Sequence, residues 1–217
     1  MRVAVVDYGS GNLQSVMQSL RAAGQNAGFS HEFELTDKPD DVSKADYLVL
    51  PGVGAFSDCA KNLHAVDGMI DALTEQVQRR GAPFLGICVG MQLLADVGHE
   101  DGRTDGLSWI SGAVKKLTPS PQAGRPLKIP HMGWNGINFA GQAHPVLDGI
   151  DEGSAVYFVH GYHVEVADQH QVMARADYGG PVVAAIGCDN IFGVQFHPEK
   201  SQDIGQKLLT NWLAWTP

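Results

Sequence analysis

The stretch FLGICVGMQLL, residues 84–94, joins an apolar run to an amphipathic one through a cysteine set between glycines. Residues 83–87 read as a buried strand, and 91–97 carry apolar side chains at helical spacing. The junction Gly86-Ile87-Cys88-Val89-Gly90 has the form G-x-S-x-G with sulfur in place of oxygen. That pattern sets a nucleophile on a tight strand-to-helix turn. Glycines on both sides remove Cβ atoms that would clash there. The helix start beyond offers N–H groups to an oxyanion, and its positive end favours a thiolate. Such a cysteine is either a nucleophile or a small hydrophobe packed at a strand end, and a base is needed to decide.

A candidate base lies far downstream in Phe192-Gly193-Val194-Gln195-Phe196-His197-Pro198-Glu199. Residues two apart on an extended segment share a face, and Pro198 biases His197 toward extended backbone. Glu199 can then accept from one imidazole nitrogen while the other faces a thiol. Pro51-Gly52-Val53-Gly54 ends another apolar run, where glycines let backbone N–H groups reach a developing oxyanion. The same segment also reads as an ordinary strand-to-helix turn.

Around these points the first half alternates strand and helix. Residues 3–6 form a short apolar run, followed by a turn at 9–12. Leu13, Val16, Met17 and Leu20 then recur at helical spacing up to Gly24. A strand at 47–50, a helix over 58–80 ending at Gly81, and the 83–97 unit complete the series. This order predicts an α/β fold: a mostly parallel, open, flavodoxin-like sheet flanked by helices. In the second half, 113–118, 134–139, 155–166, 171–176, 181–187 and 191–196 read as short strands, expected as antiparallel additions. Residues 119–133 hold four prolines and read as an irregular loop. A last helix starts near 201, with Ile204, Leu208, Leu209, Trp212 and Leu213 on one face. No linker or repeat is visible, so residues 1–217 are expected to be a single domain.

Composition narrows the function classes. A net charge of −9 with no basic block argues against a nucleic-acid partner. Three cysteines, at 59, 88 and 188, make no paired framework and suit a reducing compartment. The first apolar run stops at Asp7, and no stretch reaches the roughly 18 apolar residues of a membrane span. A cytoplasmic protein is expected. Gly9-Ser10-Gly11-Asn12 echoes a dinucleotide fingerprint, but Gln14 stands at the third glycine position. His160 and His163 are an odd number of residues apart, which on one strand sends them to opposite faces and suits no shared metal.

Together GICVGMQ, PGVGAF and GVQFHPEKS resemble the class I, triad-type glutamine amidotransferases. DYGSGNLQSV, PHMGWN at 130–135 and YFVHGYH at 157–163 resemble, within them, the glutaminase-subunit family of imidazole glycerol phosphate synthases. The resemblance runs from Val5 to the final helix. It implies Cys88, His197 and Glu199 as the catalytic triad and a glutamyl thioester intermediate, with no metal or cofactor. It implies an oxyanion site from Val89 and the segment Gly52, Val53 and Gly54, and substrate contacts from Gln92, Gly161 and Tyr162. It implies a partner, a (β/α)8 cyclase that receives the ammonia and forms imidazole glycerol phosphate and aminoimidazole carboxamide ribotide in histidine biosynthesis. Asn12, Met132, Trp134, Asn135 and Lys200 fall where that partner would dock. One departure is Gly161, where the family usually carries Ser or Thr; a backbone contact to glutamine survives the change and a hydroxyl contact does not. A stand-alone cysteine hydrolase, the glutaminase subunit of another amidotransferase, and a non-catalytic binding protein are the other readings.

Overall fold

A computed structural model of the chain describes residues 1–122, 124–141 and 143–217. In chain order the strands are β1 (Arg2–Val6), β2 (Glu32–Thr36), β3 (Tyr47–Gly52), β4 (Phe84–Cys88), β5 (Val97–Gly98), β6 (Thr104–Asp105) and β7 (Gly112–Lys116). They continue with β8 (His131–Phe139), β9 (Ala155–His160), β10 (Tyr162–Val166), β11 (Val172–Asp177), β12 (Pro181–Cys188) and β13 (Ile191–Val194). The α-helices are α1 (Leu13–Asn26), α2 (Pro39–Val42), α3 (Phe56–Ala65), α4 (Met69–Thr74), α5 (Val89–Gln92) and α6 (Gln202–Ala214).

Nine strands form the main sheet in the order β2-β1-β3-β4-β13-β12-β11-β8-β9. The block from β2 to β13 is parallel, and β12, β11, β8 and β9 extend it antiparallel. β3, β4 and β13 are buried at every position, because helices cover both faces of the parallel block. The order turns back at β1, so right-handed crossovers place α1 on one face and α2–α4 on the other. α1 packs on α6, while α2 and α3 pack on α4. Trp212 of α6 is fully buried, edge-on to Tyr47 at 5.4 Å, and the Tyr47 hydroxyl donates to the Trp215 carbonyl at 3.0 Å. Truncating Trp212 to Ala would cost about 3–5 kcal/mol. The reversal between β1 and β3 opens a crevice at the carboxyl ends of the strands, where such sheets bind ligands.

Several expectations are corrected. Strand β2 has no counterpart among the expected elements: its EFELT sequence has two apolar residues and lies at the sheet edge. The helix expected over 58–80 breaks at Gly68, whose φ of +75° suits glycine, and it closes in a π turn over Glu75–Arg79. The helix expected over 91–97 stops at Gln92. There the Leu93 carbonyl accepts from Leu107 N–H, and the Leu94 carbonyl accepts from Trp109 and Ile110 N–H, so no helical bond remains for either. The strand over 155–166 divides at Gly161: β9 closes the main sheet, and β10 enters a second sheet of order β10-β7-β5-β6. His160 and His163 therefore lie on different sheets. The loop expected over 119–133 gives way to β8 at His131; Ala123 within it lies outside the described residues.

Candidate active site

β4 and α5 meet at Cys88, which has φ 55° and ψ −110°. A non-glycine residue held there stores about 1–3 kcal/mol of strain. The neighbouring glycines are required by close approach. A Cβ on Gly86 would lie 2.8 Å from the Gly90 oxygen, and one on Gly90 would run into the Leu50 carbonyl. The sulfur is thus presented on a sharp elbow, with only 3% of the residue exposed.

His197 follows β13 and is fixed through its backbone. Its N–H donates to the Tyr157 carbonyl at 2.9 Å, and its carbonyl accepts from Ser201 Oγ at 2.7 Å. Its Nδ1 pairs with Glu199 Oε1 at 2.8 Å, and both side chains are almost wholly buried. Burial alone would lower the imidazole pKa, but the Cys88 sulfur and the Glu199 carboxylate outweigh it and push the value up to about 9. His197 is thereby held as an imidazolium. Among the described residues Nε2 has no partner of full hydrogen-bond geometry. The nearby sulfur acts on it through charge and a looser contact.

Cys88 and His197 line one cavity of about 520 Å³ at the crevice. Val53, Gly54, Val89, Gln92, Gly161 and Tyr162 line it too, and so do Asn12 and Lys200, both expected at a partner face. Glu199 sits behind His197, off the wall. Gly52 is also off the wall: it pairs in register with Cys88, and a Cβ there would lie 2.7 Å from the Tyr8 hydroxyl. Gly161 leaves room, its nearest neighbour being Ile129 Cγ2 at 3.5 Å from a Cβ.

Sequence reading missed several residues of this site. Tyr8 is buried, which pushes its phenol pKa up, and its hydroxyl donates to the Pro51 carbonyl at 2.7 Å. Ser10 Oγ donates to the Val53 carbonyl at 2.6 Å and accepts from Val53 N–H at 3.4 Å. Glu100 lines the cavity and accepts from Phe56 N–H at 2.6 Å. Gln195 is fully buried and aims its amide nitrogen at Cys88 Sγ, 3.7 Å away. Its position inside the apolar run FGVQF was the available signal, since a buried amide needs partners. Among the described residues no three His, Cys, Asp or Glu side chains are grouped to hold a metal ion, and no helix is long and apolar enough to cross a membrane.

Residues 4–214 match the family "Glutamine amidotransferase class-I". The chain belongs to the class-I glutamine amidotransferases. It is 51% identical over 217 residues to "Imidazole glycerol phosphate synthase subunit HisH" of Rhodospirillum rubrum, covering all of both chains. The protein of the same description from Mesorhizobium japonicum is 51% identical over 220 residues, again over the whole of both chains. Among solved structures it resembles a glutamine amidotransferase with a TM-score of 0.68 at 17% identity, covering 94% of this chain and 93% of that one. A glutamine amidotransferase from Thermotoga maritima gives a TM-score of 0.60 at 15% identity, covering 92% of this chain and 76% of that one. The flavodoxin-like α/β architecture is thus shared with distant proteins, while the full-length relatives carry the closer assignment. This amidotransferase presents Met132 and Trp134 on the outer face of β8, 62% and 49% exposed. Asn135 faces the other way, half-buried, and donates to the Asp177 carbonyl at 2.9 Å. Lys200 Nζ lies 5.8 Å above the Tyr157 ring.

Proposed function

We infer that this chain is the glutaminase subunit of an imidazole glycerol phosphate synthase and works through Cys88, His197 and Glu199. The observation that carries the reading is the strained Cys88 elbow and the Glu199-paired His197 on one cavity wall, in a chain about half identical to such subunits over its whole length.

Cys88 sulfur attacks the side-chain amide carbon of glutamine, and the carbonyl π electrons move onto oxygen. Val89 N–H, next to the nucleophile, is one donor to that oxyanion. His197 gives its proton to the leaving ammonia, and the C–N bond breaks to leave a glutamyl thioester. Water then adds, with His197 as base, and releases glutamate. Glu199 fixes the ring so that Nε2 faces the reaction. Gln92 and the backbone at Gly161 and Tyr162 hold the substrate.

The second oxyanion donor comes from the Gly52–Gly54 segment. Val53 N–H is engaged with Ser10 Oγ, so the peptide must turn before it can serve. That turn is a rotation about ψ of Gly52 and φ of Val53, and glycine at position 52 supplies the freedom for it. A (β/α)8 cyclase docking over Met132 and Trp134 would bias the turn and receive ammonia directly. Ammonium is not a nucleophile, so a dry passage keeps the product reactive.

The test is glutamine turnover by the chain alone, with the cyclase, and with the cyclase and its nucleotide ligand. Turnover that requires Cys88 and rises on complex formation supports the reading. Full turnover by the isolated chain removes the regulatory part, and ammonia release by Cys88→Ala removes the catalytic part.

A further inference from the structure

A line of polar groups, half-buried at Asn135 and buried at His131, His160, Gln92 and Gln195, runs from β8 to the nucleophile, and its protons can be placed by elimination. Asn135 Nδ2 lies 2.9 Å from the Asp177 carbonyl, which can only accept, so this atom is the amide nitrogen. It also lies 3.2 Å from His131 Nε2, which must therefore accept. His131 then carries its proton on Nδ1 and donates to His160 Nε2 at 3.0 Å. His160 in turn carries its proton on Nδ1 and donates to the Tyr162 carbonyl at 2.9 Å. Starting from the Tyr162 end gives the same tautomers, because that carbonyl also can only accept. Both rings are buried, which lowers their pKa to about 4 for His131 and about 3 for His160 and keeps them neutral. His131 is further clamped between Phe158 and Tyr178, at ring separations of 4.6 and 4.0 Å.

The line continues past the carbonyl. Gln92 Nε2 donates to the same Tyr162 oxygen at 2.9 Å and to Gln195 Oε1 at 3.0 Å. That fixes Gln195 with its nitrogen toward Cys88 Sγ, 3.7 Å away. One flipped tautomer or amide would set two acceptors or two donors face to face, so the groups hold their orientations as a set.

We propose that Asn135, His131 and His160 are positioning residues whose locked tautomers fix the Tyr162 carbonyl, and through it Gln92 and Gln195, about the Cys88 sulfur. The proposal rests on the glutaminase reading and adds to it a connection between β8, whose outer face carries Met132 and Trp134, and the reacting atom. Gln195 is the last link: its amide donor reaches the Cys88 sulfur at 3.7 Å and holds the nucleophile in one orientation.

The tautomers are read directly by nitrogen NMR of the complex with the cyclase, the full chain carrying isotope-labelled histidine. Both His131 and His160 are expected neutral with the proton on Nδ1. A proton on Nε2 of either ring, or a charged ring at neutral pH, overturns the proposal. Steady-state glutaminase kinetics of the same complex give the functional arm. His131→Phe keeps the ring stack and removes both nitrogens, and kcat is expected to fall about tenfold. His131→Asn places an amide donor near the former Nδ1 and is expected to recover most of that loss. Undiminished kcat in His131→Phe, or equal loss in both variants, overturns the proposal. Should His131→Phe fail to fold, Asn135→Asp decides: its carboxylate can only accept, so the His131 proton is expected to move to Nε2 and kcat to fall. An unmoved proton with unchanged kcat overturns the proposal. Cys88→Ala assayed in parallel separates the two claims, because ammonia release by that variant defeats the glutaminase reading itself.

Discussion

Replacing Glu199 by Gln keeps the shape of the group beside His197 and removes its charge. The carboxylate contacts Nδ1 at 2.8 Å, with side-chain exposures of 2% for His197 and 1% for Glu199, so solvent screens the pair little. Once glutamine has been attacked, the sulfur facing the imidazolium is bonded to carbon and carries no negative charge. Glu199 is then the remaining negative charge against the ring. A hydrogen bond to a charged group contributes about 1.5–3 kcal/mol, which corresponds to roughly a ten- to hundredfold loss in kcat. An amide that donates to Nδ1 would also stabilise the wrong tautomer, pushing the loss toward the upper end. KM should hold within about twofold, since Glu199 is not on the cavity wall and substrate binding without the transition-state charge does not use it. The assay is coupled detection of glutamate from the Glu199→Gln protein in complex with the cyclase, across a range of glutamine. A kcat within twofold of the unmodified complex, or a loss confined to KM, would refute the assignment of Glu199.

Three further outcomes are expected. Cys88→Gly should be more stable to heat than Cys88→Ala by about 1 kcal/mol, because relief of the positive-φ strain exceeds the entropic cost of glycine; a lower melting temperature for the glycine variant would contradict this. Trp134→Ala should weaken cyclase binding about thirtyfold by calorimetry, as expected for a half-exposed aromatic anchor, with no loss of monomer stability. Stability should fall as the pH drops from about 6.5 toward 4, because His131, His144 and His160 are neutral when folded and take up protons once unfolded. His197 has the opposite sign: its contribution is complete below about 6.5 and is lost as the pH rises through about 9. Urea titrations across this range should show a smaller acid loss for His131→Phe, and an unchanged loss would argue that His131 does not titrate as described.

The elbow was legible because Cys88 sits between glycines whose Cβ atoms have no room, a requirement that leaves a mark in local sequence. His-Pro-Glu was legible as a local orienting pair, and the alternation of the first half carried the parallel block. What stayed hidden depends on distant partners. Nothing near 155–166 says that Gly161 hands the chain from one sheet to another, and that handover is what places His160 and Tyr162 on the cavity. Residues 91–97 have helical periodicity, but carbonyls of Leu93 and Leu94 are claimed by N–H groups more than ten positions on. His131 and His160 meet because β8 and β9 pair in the register His131–His160, which no spacing announces. Asn135 belongs to the same motif as Met132 and Trp134, yet strand alternation turns it to the opposite face.

The most direct measurement is mass analysis of the cyclase complex, acid-quenched during turnover of glutamine. A glutamyl adduct on the Cys88 peptide alone is expected, rising and decaying with ammonia release and absent from Cys88→Ala. Steady ammonia release with Cys88 unmodified throughout would contradict a covalent route through this sulfur.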